Sequence, residues 1–253
     1  MSSPAPRAVL ARFSEFFFAN VDAVFGVVEH FARDFNSAEL LVSRILGNVW
    51  SVFGAVPPEH RDLLLYDLTH RFINQSGPPP PPVLPIPYAP LDGEWSPLRP
   101  SDTHAARVIL WSAEGAAPSI DWPLLFLLVR TPLDVVGWSR VTERKVDALT
   151  RDIALHQSYA TQAIRAVIFE EHGPDCPARP TLASGAIPPD IAGHVSVCGV
   201  CNVFASMLIP PPRLVQSSAS TKLSAADRNR ILASALQHNP PPDLSRRRWW
   251  YTQ

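Results

Sequence analysis

The sequence has 253 residues, of which 46% are hydrophobic and 28 are proline, and its formal net charge is −1. This length and hydrophobic content suffice for one substantial core or two small ones, while the prolines exclude regular structure throughout. The near-neutral charge excludes the broadly basic surface that drives non-specific nucleic-acid binding by a monomer.

The cysteine content and the apolar runs bear on the compartment. Three cysteines and the lack of a secretory signal pattern at the start favour an intracellular protein over a secreted disulfide framework. No apolar run approaches the roughly 20 residues that a membrane-spanning helix needs. We therefore expect a soluble protein without a membrane partner.

Helical periodicity predicts three N-terminal helices within residues 1–75, at 8–33, 37–53 and 58–74. The first is dense in aromatic residues on more than one face, which indicates either the centre of a bundle or an interface with a neighbouring subunit. Ser37 is a suitable N-cap for the second helix. The short link between the first two helices predicts that they are antiparallel neighbours.

Residues 76–103 form a proline-rich arm or linker with polyproline II character. Its apolar residues favour an extended arm that lies across its own or an adjacent subunit. The alternative is a segment that docks into an aromatic-lined partner domain.

Residues 104–173 are predicted to hold a short strand at Arg107–Trp111, an apolar helix at 120–128 and a long helix at Thr142–His172. Asp121 is the expected N-cap of the apolar helix, and Thr142 that of the long helix. Gly173 and Pro174 predict the end of the long helix. Residues 131–141 between the two helices are expected to be a loop or short turn.

A charged cluster marks the start of the long helix. Asp147 is spaced to pair with Arg144 and Arg151, which leaves Lys145 for another anion. The simplest interpretation is a solvated helix face with a few ion pairs. The other is a phosphate site, which Arg130 and Arg140 would complete. The candidate residues for such a phosphate site are Arg130, Arg140, Arg144, Lys145 and Arg151, grouped around Asp147.

The order Arg144-Lys145-Val146-Asp147, followed by Thr150 and Ile153, resembles the signature that opens the long helix of coat proteins of rod-shaped plant RNA viruses, the tobamovirus and tobravirus type. The predicted strand, apolar helix and long helix follow one another in the order found in that family. The resemblance covers roughly residues 8–55 and 104–172.

The resemblance implies a mainly α fold, an antiparallel four-helix bundle with a short strand element, in a capsid protein that self-assembles helically around single-stranded RNA. It implies that Arg144, Lys145 and Asp147 lie next to the RNA, and that the protein occurs in the virion and the host cytoplasm. Ala148 stands where the family often has a second acidic residue. The helix at 58–74, the proline-rich arm and the extension at 174–253 have no counterpart in the smallest members.

Two other functions fit the sequence: a proline-, alanine- and serine-rich protein that coats a viral genome without a regular capsid, and a non-enzymatic adaptor that uses the proline-rich segment. No phosphate-binding loop, nucleophile elbow, HExxH motif or dinucleotide fingerprint occurs. We therefore expect neither an enzyme nor a cofactor.

The C-terminal extension contains a possible metal site. His194, Cys198 and Cys201 lie close in sequence, with Cys176 upstream, so a Cys3His zinc site is conceivable. A single CxxC pair among valines is more typical of small buried residues, and we expect no metal.

The extension also contains a predicted helix at Ser224–His238, with a capping-box pair of Ser224 and Asp227. Three arginines beside three aromatics at 246–251 would suit single-stranded nucleic acid, a neighbouring subunit or a solvated tail.

Overall fold

The computed structural model describes residues 6–32, 34–76, 100–180, 190–206, 208, 211–218 and 222–238, and within these ranges it contains α-helices and no strand. The mainly α class is confirmed. Residues 77–99 of the proline-rich arm and the whole of the arginine- and aromatic-rich tail lie outside the described residues. The helices are α1 (Pro6–Phe31), α2 (Phe35–Val52), α3 (Arg61–Ser76, after a 3-10 turn at Pro58–His60), α4 (Pro100–Ala116), α5 (Trp122–Arg130), α6 (Val135–Thr142), α7 (Val146–His172), α8 (Ile191–Val197), α9 (Gly199–Ser206), α10 (Pro211–Ser217) and α11 (Ala225–Gln237).

The described helices form two compact units. The first unit comprises α1, α2, α3, α6 and α11, and the second comprises α4, α5 and α7 to α10. The four consecutive segments expected from the sequence, 1–75, 76–103, 104–173 and 174–253, do not coincide with these units. The reason is that α6 packs against α3, and α11 against α2 and α1.

The core of the first unit is aromatic. Phe13, Phe17 and Phe25 of α1 are fully buried at intervals of four and eight residues, so they lie on one side of the helix. The ring of Phe13 meets those of Trp50 and Phe53 at centroid distances of 4.9 and 5.2 Å. Because α2, α3 and α11 all contact α1, burial on more than one face arises within this unit.

Helix ends in the first unit follow from short polar side chains. Asp34, not the predicted Ser37, is the N-cap of α2, because its carboxylate accepts the Ser37 backbone N–H at 2.7 Å. The predicted helix at 58–74 is confirmed as the 3-10 turn and α3. The Ser224–Asp227 capping box at the start of α11 is also confirmed.

Ion pairs and a close backbone approach hold α11 in place. Arg228 makes a two-bond contact with Asp22 of α1 at 3.2 and 2.7 Å. Arg230 contacts Glu39 of α2 in the same manner at 3.1 and 3.0 Å. His238, which caps α11, lies so close to Gly47 that a Cβ there would clash.

The predicted strand at Arg107–Trp111 is wrong, because this segment lies inside α4. Ala106, Ile109, Leu110, Ala113 and Ala117 are all fully buried, at intervals of three, four, seven and eleven residues. This is the periodicity of a helix face. A five-residue apolar run does not distinguish a strand from a buried helix. The spacing of the apolar residues over the longer stretch 106–117 is what indicates a helix.

The long helix begins later than predicted. Thr142 ends α6, Glu143 has a left-handed φ of 56° that closes that helix, and α7 starts at Val146. The expected loop at 131–141 therefore contains a helix, which Asp134 caps by accepting the Gly137 N–H at 2.7 Å. Two predictions are confirmed: Asp121 caps α5 through the Leu124 N–H, and α7 ends before Gly173.

The second unit is built around α7, which contacts α4, α5, α8 and α10. Its buried face includes Leu149, Ile153, Ala160, Ile164 and Ile168, while Val146 at its start is exposed. Across the described ranges, none of the helices combines the length and the apolar character required to cross a bilayer.

Candidate metal centre

The six predicted RNA-binding residues are divided between the two units. Arg140 and Arg144 belong to the first, and Arg130, Lys145, Asp147 and Arg151 to the second. All except Arg130 are exposed. Arg151 donates from Nε to the backbone carbonyl of Asp147 at 3.3 Å, so this contact lies within the first turns of α7.

Arg130 has a defined position within the second unit. Its Nη2 donates to the backbone carbonyls of Val215 and Gln216, the latter at 3.0 Å. Arg107 Nε donates in the same way to the Ser218 carbonyl at 2.8 Å. Two arginines from α4 and α5 thus satisfy carbonyls at the C-terminal end of α10, where positive charge is favourable.

The densest cluster of chemically reactive side chains in the described residues consists of Cys176, His194, Cys198 and Cys201. One ligand atom from each lies within 4.8 Å of all the others. The Cys176 Sγ is 3.5 Å from the His194 Nε2 and 3.9 Å from the Cys198 Sγ. The His194 Nε2 is 3.2 Å from the Cys201 Sγ.

Cys176 comes from the loop that follows α7. The loop starts at Gly173, where a Cβ would collide with the Phe169 carbonyl and the Arg179 guanidinium. A turn brings the Arg179 N–H to the Cys176 carbonyl at 3.0 Å. Arg179 then donates to the Pro174 carbonyl at 3.1 Å and lies over the Phe169 ring. These contacts fold the loop back on the end of α7.

The other three donors come from α8, α9 and the residue between them. Asp190 caps α8 by accepting the Gly193 N–H at 2.7 Å, and His194 follows in the next turn. Cys198 separates α8 from α9; its N–H donates to His194 and its carbonyl accepts from Asn202, at 3.0 and 2.8 Å. Cys201, in the first turn of α9, is fully buried. The sharp break at Cys198 directs both thiols of the CxxC pair to the same side as His194.

The inner faces of α8 and α9 pack on the second half of α7. Ile191, Val195 and Phe204 are buried, and the Phe204 ring meets the edge of Phe169 at 4.8 Å. The Ala192 N–H donates to the Gln162 side chain at 3.0 Å. Cys176 and the pair of short helices are therefore positioned by the same part of α7.

Three of the six donor separations are close to those around a tetrahedral ion, and all six are within 4.8 Å. Zn²⁺ with Zn–S of about 2.3 Å and Zn–N of about 2.05 Å places tetrahedral ligand atoms about 3.8 Å apart for two sulfurs and about 3.6 Å for sulfur and nitrogen. The observed 3.9 and 3.5 Å match these values closely, and 3.2 Å is slightly shorter. Three thiols and one imidazole form the soft donor set that selects zinc over hard cations such as Mg²⁺.

The local electrostatics differ between the two CxxC thiols. Backbone N–H groups of Cys201 and Val200, the former with the larger effect, lower the pKa of Cys198. Burial and the neighbouring thiols raise the pKa of Cys201 to about 12. A bound divalent cation would supply the positive charge that makes the thiolate form of Cys201 favourable.

The sequence alone did not favour this site, and no metal was expected. The CxxC pair with His194 was visible as a weak signal, but Cys176 is 22 residues before Cys198. Only the loop that folds back on α7 brings it to the other three donors. The interpretation as ordinary small buried residues does not account for the convergence of four ligand atoms.

Comparison with known proteins adds no family to these observations: no family model matches the chain, and no curated protein or solved structure matches it.

Proposed function

We propose that this protein is a non-enzymatic structural protein whose second unit is held together by one Zn²⁺ bound to Cys176, His194, Cys198 and Cys201. The observation that carries the proposal is the convergence of four zinc-type donor atoms within 4.8 Å. Four protein donors fill the tetrahedral coordination shell and leave no position for a substrate or a reactive water, which is the arrangement of a structural site.

The size of the surrounding helices supports a structural role. Helices α8 and α9 have seven and eight residues, and helices shorter than about 12 residues are marginal without tertiary support. The two helices bury only four residues, Ile191, Val195, Cys201 and Phe204. A metal that joins the loop after α7 to both helices would supply the missing stabilisation.

Metal analysis of the full chain, purified without chelator, tests this function directly. We expect one zinc per chain, and substitution by Co²⁺ should give the absorption of tetrahedral cobalt with thiolate ligands. Cys201→Ser should lose the metal, whereas Ser206→Ala on the exposed side of α9 should retain it. The proposal would be refuted if the wild type, supplemented with zinc, contained well below one zinc per chain and Cys201→Ser contained the same amount.

We also propose, as a second function that rests on the resemblance at Arg144–Ile153, a coat protein that assembles helically around single-stranded RNA in a virion formed in the host cytoplasm. Two observations support it: Lys145 and Arg151 of the second unit are exposed at the start of α7, and α1, α2 and α7 are helices at the sequence positions where the resemblance places helices. The antiparallel four-helix bundle of that family belongs to this proposal.

Electron microscopy of the purified protein, with the ratio of absorbance at 260 and 280 nm, tests the coat proposal. We expect rods or discs that contain RNA, and we expect Arg144→Ala with Lys145→Ala to abolish the RNA-containing rods while the subunit stays folded. Arg7→Ala with Arg12→Ala, a matched pair of exposed arginines on α1, should leave the rods unchanged. Small particles without nucleic acid would refute this second proposal and favour the adaptor.

A further inference from the structure

The three thiols of the metal centre differ in their access to solvent. Cys176 and Cys198 are half-buried, and the chain neighbours of both are exposed. Cys201 is fully buried. These three are all the cysteines of the chain. A small oxidant in the solvent therefore reaches the first two thiols more readily than the third.

The two accessible thiols are also close enough to react with each other. Their Sγ atoms lie 3.9 Å apart, so they have to approach by about 1.9 Å to reach the ~2.05 Å of a disulfide bond. Cys176 lies in a loop, and Cys198 lies at the break between α8 and α9. Cys201 lies inside α9, and its Sγ is 3.2 Å from the His194 Nε2. The geometry thus favours a bond between Cys176 and Cys198.

We propose that Cys176 and Cys198 form an oxidative modification site, at which a hydroperoxide converts the two thiolates into a disulfide and thereby releases the metal. The inference rests on the proposed zinc site, because a thiol bound to zinc is held as the thiolate. Thiolates that solvent can reach are the cysteines most readily oxidised. The site would then respond to peroxide as well as support the fold.

The reaction balances as a two-electron oxidation. The Cys198 thiolate attacks one oxygen of hydrogen peroxide; an S–O bond forms, the O–O bond breaks, and hydroxide leaves. The Cys176 thiolate then attacks the Cys198 sulfur; the S–S bond forms, the S–O bond breaks, and a second hydroxide leaves. The two sulfurs lose the two electrons that the peroxide gains.

The disulfide removes two of the four metal donors. His194 and Cys201 alone do not complete the tetrahedral shell of a structural zinc site, so the ion is released. The new bond joins residues 22 positions apart and restrains the chain as a covalent link. It holds the loop after α7 to the break between α8 and α9, which the metal held before. Reduction of the disulfide restores the donors.

Peroxide treatment of the zinc-loaded full chain tests the inference. We expect hydrogen peroxide to release the zinc, as measured with a colorimetric chelator. Peptide mass spectrometry without reduction should find a disulfide between Cys176 and Cys198, and dithiothreitol with added zinc should restore the metal content. Retention of the metal under peroxide, or its loss without this disulfide, overturns the inference and leaves the zinc site standing.

Two variants form a matched pair, because each replaces one thiol by an imidazole and leaves a Cys2His2 donor set that suits zinc. Cys201→His keeps both reacting thiols and should release zinc under peroxide as the wild type does. Cys176→His lacks the second thiol, and we expect its zinc release to be at least about tenfold slower. Equal rates in the two variants overturn the inference.

The outcomes separate the inference from the proposed zinc site. If either variant fails to bind zinc, the position of the disulfide in the peroxide-treated wild type decides alone. A wild type that contains no zinc before peroxide is added refutes the site itself, and the inference with it.

Discussion

The two units differ in the size of the side chains that fill their interiors. Most of the largest fully buried side chains, Trp138, Tyr66, Phe13, Phe17, Phe25 and Phe53, belong to the first unit, whereas Phe126 and Phe169 belong to the second. The second unit buries six alanines, among them Ala106, Ala113 and Ala163, and the first unit buries two, Ala38 and Ala235, within the described residues. Large aromatic rings bury much area per residue, and small side chains bury little. The unit with the smaller side chains is the one that carries the four metal donors.

Removal of one metal donor should have the largest effect and should be confined to the second unit. We expect Cys176→Ser to release the metal and with it a binding free energy on the order of 10 kcal/mol, because three donors bind zinc far more weakly than four. Hydrogen exchange measured by mass spectrometry should show lost protection in α8 and α9. Unchanged protection there, in protein shown to have lost its metal, would contradict a structural role.

Truncation of a core ring should break the first unit instead. Phe17 is fully buried and Phe18 beside it exposes 46% of its area. We expect Phe17→Ala to lower the free energy of unfolding by about 3–5 kcal/mol, because it leaves a cavity among rings. Phe18→Ala should cost less than about 1 kcal/mol, as measured by urea denaturation. Both variants should keep their zinc, and a loss of zinc in Phe17→Ala would show that the two units are not independent.

Tyr66 makes the first unit sensitive to high pH. Burial, reinforced by Asp62, raises the pKa of its phenol to about 12, and the hydroxyl donates a hydrogen bond to Asn20 Oδ1 at 3.1 Å. The folded state thus holds its proton more tightly than the unfolded state. The stabilisation, about 2–3 kcal/mol, is complete below pH 10 and is lost as the pH rises through 12. Urea denaturation between pH 9 and 12 should show this decline, and Tyr66→Phe should show a shallower one.

Two helical glycines, one in each unit, are expected to give the smallest changes in stability when replaced by alanine. A Cβ at Gly47 of α2 would clash with His238, whereas one at Gly115 of α4 meets nothing within 4 Å. We expect Gly47→Ala to cost about 1–3 kcal/mol by displacing the end of α11. Gly115→Ala should add up to about 1 kcal/mol, because alanine has the higher helix propensity. Thermal unfolding of both variants measures the two changes in stability. Changes of the same sign would contradict the packing described for Gly47 and Gly115.

The sequence predicted elements that depend on local pattern. Long apolar periodicity indicated α1, α2 and most of α7, and a local capping pair indicated the start of α11. The wrong predictions fall where the apolar window is short or two capping residues lie close together: Arg107–Trp111 has the composition of a strand, and Ser37 lies three residues after the actual cap, Asp34. The metal cluster and the packing of α11 on α2 depend on contacts between residues far apart in sequence. No local pattern encodes such contacts.

The order in which the units are assembled along the chain has a consequence for folding during synthesis. The chain alternates between the units at residues 77–78, 130–131, 144–145 and 220–221. Helices α1 to α3 emerge from the ribosome early, yet the Trp138 ring of α6 and the arginines of α11 that complete their unit emerge much later. The surfaces of α1 and α2 that α11 contacts therefore stay uncovered until the second unit has been made. Chaperone dependence during translation should consequently be greater for the unit that begins first.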